Sequence, residues 1–178
     1  MIINRILKLY RNLFWSLEKQ ARHAGVIIGE HNFISSHFWS SEPYLITIGN
    51  NCQITSGVKI FTHGGAQSVR KYHPEFDCFG KIKIGNYVYI GSNSLILPGV
   101  TIGNNVLIAA GSVVTKSVPS DVVVGGNPAR IVCSIGEYIE RNAPFNRNSK
   151  SMSNHDKKVM LTKLEESKFI QKKEMVFR

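Results

Sequence analysis

The feature that most restricts how this chain can fold is a ruler of six residues. From Ile84 the sequence reads IGNYVY, IGSNSL, ILPGVT, IGNNVL, IAAGSV, VTKSVP, and every block opens on an aliphatic residue: Ile84, Ile90, Ile96, Ile102, Ile108 and Val114. The same spacing runs backwards through Ile60, Ile54 and Ile48, with a weaker pair at Ile34 and Ile28. The fifth place is small or β-branched: Val88, Ser94, Val100, Val106, Ser112 and Val118. Because side chains alternate along a strand, places one and five share a face, while the second place, often Gly, can take the turn. Three blocks close one triangular coil, and Ile then stacks on Ile from coil to coil. The pattern predicts an all-β solenoid, a parallel β-helix. An ordinary α/β domain would need helix-length crossovers between its parallel strands, and these blocks leave no room for them.

The 178 residues suffice for one domain with appendages, and 19% charged with 43% apolar residues is a globular composition. A formal net charge of +10 points to nucleic acid only until it is located. Residues 1–22 hold five Lys/Arg and one acid, and residues 147–178 hold nine and four. The stretch between holds eight and seven, so the folded body is close to neutral and no nucleic-acid partner is expected. Cys52, Cys78 and Cys133 lack metal spacing and read as reduced thiols. No apolar run approaches a membrane span, and Arg5, Lys8 and Arg11 interrupt the first segment where a signal core would lie. A cytoplasmic protein is expected.

Ile48 to Val132, above all IGSNSLILPGVTIGNNVLIAAGSVVTKSVP and GGNPARIV, resembles the hexapeptide-repeat acyltransferases. The resemblance implies a left-handed parallel β-helix, an exception to the right-handed crossover preference, and a homotrimer. THGG followed by a long loop and FGKIKIGNYVYIGSN is most similar to O-acetyltransferases of capsule, lipopolysaccharide and related sugars, although Tyr89 stands where the family often has Trp.

Three regions leave the ruler. Residues 1–22 read as one amphipathic helix, with Ile2, Ile6, Leu9, Leu13 and Leu17 on one stripe and Ile3, Leu7, Tyr10 and Phe14 beside it. Such a helix suits a cap over the open first coil, or an interfacial helix at the inner face of an anionic membrane. The solenoid itself is expected over residues 23–133, interrupted at residues 64–80, a loop with Tyr72, Phe76 and Phe79 to pack. Residues 134–178 form a C-terminal extension, with a helix near Ser134–Arg141, a polar linker at 142–156 and a basic helix from Lys157, whose apolar side reaches Val159, Met160, Leu164, Phe169 and Ile170.

Among six histidines, His63 alone ends a regular repeat, directly before a Gly-Gly break. Acetyl transfer to a hydroxyl needs a base that is neutral near pH 7, which imidazole provides. A lone histidine is more often solvated or structural, and position alone leaves both readings open. The family resemblance implies that His63 is the catalytic base, since the family's catalytic His stands where a coil gives way to the protruding loop. His73, in mid-loop, competes for the role, and His31 and His37 lie on the first coil. No His occurs between His73 and His155, so a three-His metal site is not expected. Cys52 and Cys78 are not expected as acyl carriers, because direct transfer needs only the base.

The same resemblance implies acetyl-CoA as donor, with Ser92, Ala109, Ala110 and Gly111 along the pantetheine arm and the Ser92 amide as oxyanion donor. Thr115, Lys116 and Arg130 match the family's positions for the phosphate end. The loop would recognise the acceptor sugar through Tyr72, His73, Glu75, Phe76 and Asp77. Transfer to an amine of an amino sugar or drug-like molecule, and a non-catalytic scaffold, are the alternative functions.

Overall fold

A computed structural model describes residues 2–174 and 176, except for the side chains of residues 2–4 and 6–8. The chain divides into two compact units, Met1–Ile135 and Gly136–Arg178.

The first unit is a parallel β-helix of four coils. Strands β1 (Ile27–Ile28) and β2 (Phe33–Ile34) belong to the first coil, and β3 (Ile46–Ile48), β4 (Gln53–Ile54) and β5 (Lys59–Ile60) to the second. The third holds β6 (Ile82–Ile84), β7 (Tyr89–Ile90) and β8 (Leu95–Ile96), and the fourth β9 (Thr101–Ile102), β10 (Leu107–Ile108) and β11 (Val113–Val114). These stack as three flat sheets, β1-β3-β6-β9, β2-β4-β7-β10 and β5-β8-β11, all in parallel register. The second sheet continues into β12 (Val122–Gly126), which turns back antiparallel through β13 (Ala129–Ser134). That hairpin ends the stack.

Each short strand straddles two blocks of the ruler, so that Val88 points in, Tyr89 out and Ile90 in. The inward columns are Ile48–Ile84–Ile102, Ile54–Ile90–Ile108–Val124 and Ile60–Ile96–Val114, all buried. Each wholly buried Ile contributes about 1.5–3 kcal/mol of apolar transfer. All six fifth-place residues are buried too, from Val88 to Val118. The corners are held by a relay of asparagines. The amide of Asn50 donates to Asn86 Oδ1 at 2.8 Å, that of Asn86 to Asn104 Oδ1 at 2.7 Å, and that of Asn104 to Ser120 Oγ at 2.9 Å. Close stacking at this corner excludes a side chain: a Cβ on Gly85 would lie 2.6 Å from Asn104 Oδ1.

The first coil departs from six-residue spacing. Its third inward place is filled by Trp39, and a 3-10 turn at Pro43–Leu45 leads into the second coil. The offset to the next coil is 20 residues at Phe33–Gln53 and 21 at Phe38–Lys59.

At the N-terminus the expected single helix is two, α1 (Ile2–Phe14) and α2 (Leu17–Ala24). Ser16 causes the break: its hydroxyl accepts from the Lys19 amide at 3.2 Å and caps α2, with Glu18 in the first turn. α2 covers the coil end, with Ala21 fully buried and Leu17 packed on the core. Of the expected stripe, the side chains of Ile2, Ile3, Ile6 and Leu7 lie outside the described residues.

The second unit begins within α3 (Ile135–Asn142) and contains α4 (Asn154–Thr162). α4 starts before Lys157, inside the expected linker, because Ser153 caps it by accepting from the Asp156 amide at 3.1 Å. It stops at Thr162, so Leu164, Phe169 and Ile170 are not part of it. Among the described residues no helix is long and apolar enough to cross a membrane.

Candidate active site

The ruler lapses after β5 because the chain leaves the coil. Residues 64–80 form a loop of turns whose base is clamped. His63 and Phe79 face each other as an antiparallel bridge. The Gly64 amide donates to the Cys78 carbonyl at 3.0 Å, and the Gly80 amide to the Thr62 carbonyl at 2.7 Å.

His63 thus stands at the seam between coil and loop. Its Nδ1 lies 2.9 Å from Glu42 Oε2. A carboxylate only accepts, so Nδ1 is the donor, and in the neutral ring Nε2 is the nitrogen left to take a proton. The Thr62 hydroxyl donates to the same Oε2 at 2.7 Å, and Ser40 Oγ, 3.4 Å from Nδ1, accepts from the Thr62 amide at 3.2 Å. Ser40 holds φ 61°, a left-handed conformation rarely taken by non-Gly residues, beside this cluster. The Thr62 hydrogen bond, and then that of His63, holds the Glu42 carboxyl below its usual value. The His63 side chain is 38% exposed, open enough to be reached.

Glu42 was not among the sequence-derived candidates. It stands 21 residues before His63, the offset seen at Phe38–Lys59, and is therefore the register neighbour of His63 in the preceding coil. Strict eighteen-residue spacing would have put Leu45 there. The signal that finds it is the enlarged first coil.

A cavity of about 330 Å³ adjoins the pair, lined by Glu42, His63, Gln67, Arg70, Asp77 and Phe79, with Ser41 and Gly64–Ala66. Of the expected acceptor residues only Asp77 reaches it. Tyr72 is 73% exposed, the rings of His73 and Phe76 lie tilted to each other with centroids 6.4 Å apart, and Glu75 is exposed as well. His31 and His37 are exposed on the first coil. Cys52 is buried, and burial pushes its thiol up, which disfavours the thiolate a nucleophile requires. Cys78 is exposed in the loop stem.

The expected donor residues fall into two groups. Ser92 and Gly111 stack at one corner, where the Gly111 amide donates to the Ser92 carbonyl at 2.8 Å, with Ala109 and Ala110 beside them. The small size of this corner is built in, since a Cβ on Gly91 would lie 2.4 Å from the Ala110 amide. Lys116 and Arg130 line a second cavity, of about 390 Å³, with Val114, Pro119 and Ala129. Thr115 is exposed beside it. Two cations over an apolar floor suit a phosphate carried on a larger organic group. This cavity shares no lining residue with that of His63. Among the described residues no three His, Cys, Asp or Glu side chains converge as metal ligands would.

Residues 81–116 match the model of the bacterial transferase hexapeptide family (six repeats). The chain is 49% identical over 160 residues to Protein CapG of Staphylococcus aureus, covering 85% of this chain and 91% of that one. It is 36% identical over 119 residues to a galactoside O-acetyltransferase of Escherichia coli K12, covering 64% of this chain and 56% of that one. In three dimensions it is similar to a hexapeptide-repeat-containing acetyltransferase of Vibrio cholerae O1 biovar eltor solved with acetyl coenzyme A. There the TM-score is 0.55 at 28% identity, with 72% of this chain and 82% of that chain covered. Fold and relatives together define a left-handed β-helix protein of the acyltransferase class. The chain belongs to the hexapeptide-repeat acyltransferases.

Proposed function

We propose that the protein moves an acetyl group from acetyl-CoA to a hydroxyl of a sugar or surface-polysaccharide precursor, with His63 as general base. The observation that carries this reading is the Glu42–His63 pair at the wall of a cavity, with Nδ1 engaged and Nε2 free. Nε2 takes the proton from the acceptor hydroxyl as its oxygen attacks the thioester carbonyl, and returns it to the sulfur as the C–S bond breaks. The Ser92 amide is assigned to the oxyanion that develops on the carbonyl. Glu42 is a positioning residue: it fixes the tautomer and ring of His63 and stabilises the imidazolium formed during transfer. The donor supplies an activated acyl group, and Lys116 and Arg130 are assigned to its phosphates, with Ala109, Ala110, Gly111 and Thr115 along its arm.

The galactoside acceptor of one relative supports a sugar hydroxyl, as do Arg70 and Asp77 in the cavity, which suit hydrogen bonding to several hydroxyls. Tyr72, His73, Glu75 and Phe76 are assigned to the acceptor as well, in a neighbouring subunit's cleft. That assignment rests on a homotrimer, which the outward apolar side chains Ile27 and Phe33, 60% and 61% exposed, favour. A cytoplasmic location fits the donor.

The test is a panel of sugars and amino sugars incubated with acetyl-CoA, read by free thiol and by mass. Thiol release with hydroxyl acceptors, giving an ester that hydroxylamine cleaves, is expected. Release with amines alone, or with no acceptor at all, would overturn the reading. Sedimentation velocity should give a trimer.

A further inference from the structure

The large apolar side chains described on the first helix do not pack on the core. α2 already covers the open coil end, with Ala21 fully buried and Leu17 on the core, whereas Leu9, Tyr10, Leu13 and Phe14 of α1 are left open and Arg11 contacts His23 on α2. Leu9 is 60% exposed, Tyr10 53%, Leu13 68% and Phe14 71%. Leu9 with Leu13, and Tyr10 with Phe14, are four apart and make two adjacent rows, the two rings 4.9 Å from each other. By helical period Arg5, Lys8 and Arg11 fall on the remaining arc, and residues 1–17 contain no Asp or Glu. The first acid, Glu18, is taken by Arg22 at 2.7 Å.

A partner for this face must accept four large apolar groups and carry negative charge. A second copy of α1 meets the first demand and fails the second, since it brings cations against cations. An anionic bilayer meets both. At 13 residues α1 is about 20 Å long, enough to lie along a lipid surface and too short to cross it.

We propose that α1 lies in the surface of an anionic lipid bilayer, its Leu9, Leu13 and Phe14 entering the acyl boundary and its cations meeting headgroup phosphates. Tyr10 has the amphipathic ring that favours the same depth. The docking element is α1 alone, not the whole of residues 1–22, because the buried face of α2 is committed to the coil. This inference does not depend on acetyl transfer, since lipid binding requires neither donor nor acceptor.

The experiment is co-sedimentation of the full chain with extruded vesicles of phosphatidylcholine, with or without one-third phosphatidylglycerol, at low and high salt. Binding is expected on the anionic vesicles and should weaken with salt. Arg5→Ala and Lys8→Ala should each reduce it about fivefold. Arg11 is left in place because it also contacts His23 on α2. The double variant Leu13→Asp/Phe14→Asp should reduce it at least about tenfold. The thermal unfolding of Arg5→Ala and of the double variant should match that of the parent, because Arg5, Leu13 and Phe14 are exposed. Absence of binding, or equal binding to phosphatidylcholine alone, would overturn the proposal. So would a changed sedimentation coefficient of the double variant without vesicles, since a second copy would then be what covers α1.

Discussion

The coil stack and the loop at residues 64–80 are built on opposite terms. In the stack the strand amides donate to carbonyls of a neighbouring coil, the corner amides of Asn50, Asn86 and Asn104 to side chains there, and the three inward columns repeat an aliphatic from coil to coil. The loop satisfies its backbone through local turns and leaves Tyr72 and Phe76 exposed, yet its two ends are clamped to the stack at His63. Stability therefore resides in repetition, and the proposed base, His63, stands where repetition stops.

That division predicts which substitutions strike which property. The largest expected effect is His63→Ala, which should lower turnover by about 10² to 10⁴-fold, about 2.7–5.5 kcal/mol of transition-state stabilisation, while changing unfolding far less. Near-normal turnover would move the role to His73. The mirror experiment is Ile90→Ala, in the middle of a buried column. It should cost about 2–5 kcal/mol in denaturant unfolding, with turnover of the folded fraction preserved. Next comes the double variant Lys116→Ala/Arg130→Ala, on exposed side chains of the second cavity. It should raise the acetyl-CoA constant about tenfold, about 1.4 kcal/mol, without affecting the acceptor constant. An unchanged donor constant would place the phosphates elsewhere.

The smallest effect concerns pH. The folded Glu42 carboxyl titrates below its ordinary value, so its contribution to stability is present above that ordinary value and disappears as pH falls through the lowered one. Unfolding of Glu42→Gln should differ from that of the parent at neutral pH and converge with it in acid. A difference that persisted in strong acid would mean that the Glu42 charge does not matter to the fold. At neutral pH the same variant should turn over more slowly with an unchanged acetyl-CoA constant.

The stack was readable from the sequence because one rule, an aliphatic residue every six, is imposed by every coil on the next. From Ile48 to Val114 the inward places lie where the ruler sets them, even across the loop, where Ile48 pairs with Ile84. His63 was legible as a candidate because it ends that rule, and its proposed role as base came from the family resemblance. Glu42 was not, because it lies in the coil where Trp39 replaces the expected aliphatic and the turn at Pro43–Leu45 lengthens the path. The division of the N-terminal helix was missed for a local reason. The hydrophobic stripe runs unbroken through Leu13 and Leu17, and only the capping hydroxyl of Ser16 marks the break. At the C-terminus Ser153 does the same for α4, under a polar run that resembles linker.

The clamp at the loop base has a kinetic meaning. His63 belongs at once to the last rung of a coil and to the first rung of the loop stem, since its backbone bridges to Phe79 while its ring is held by Glu42. A displacement of the stem bends the main chain that carries His63, whereas the ring is tethered to a carboxylate on the coil beneath. With His63 as the proposed base, acceptor occupancy and base alignment would be one mechanical coordinate, and discrimination among acceptors would fall on turnover more than on affinity.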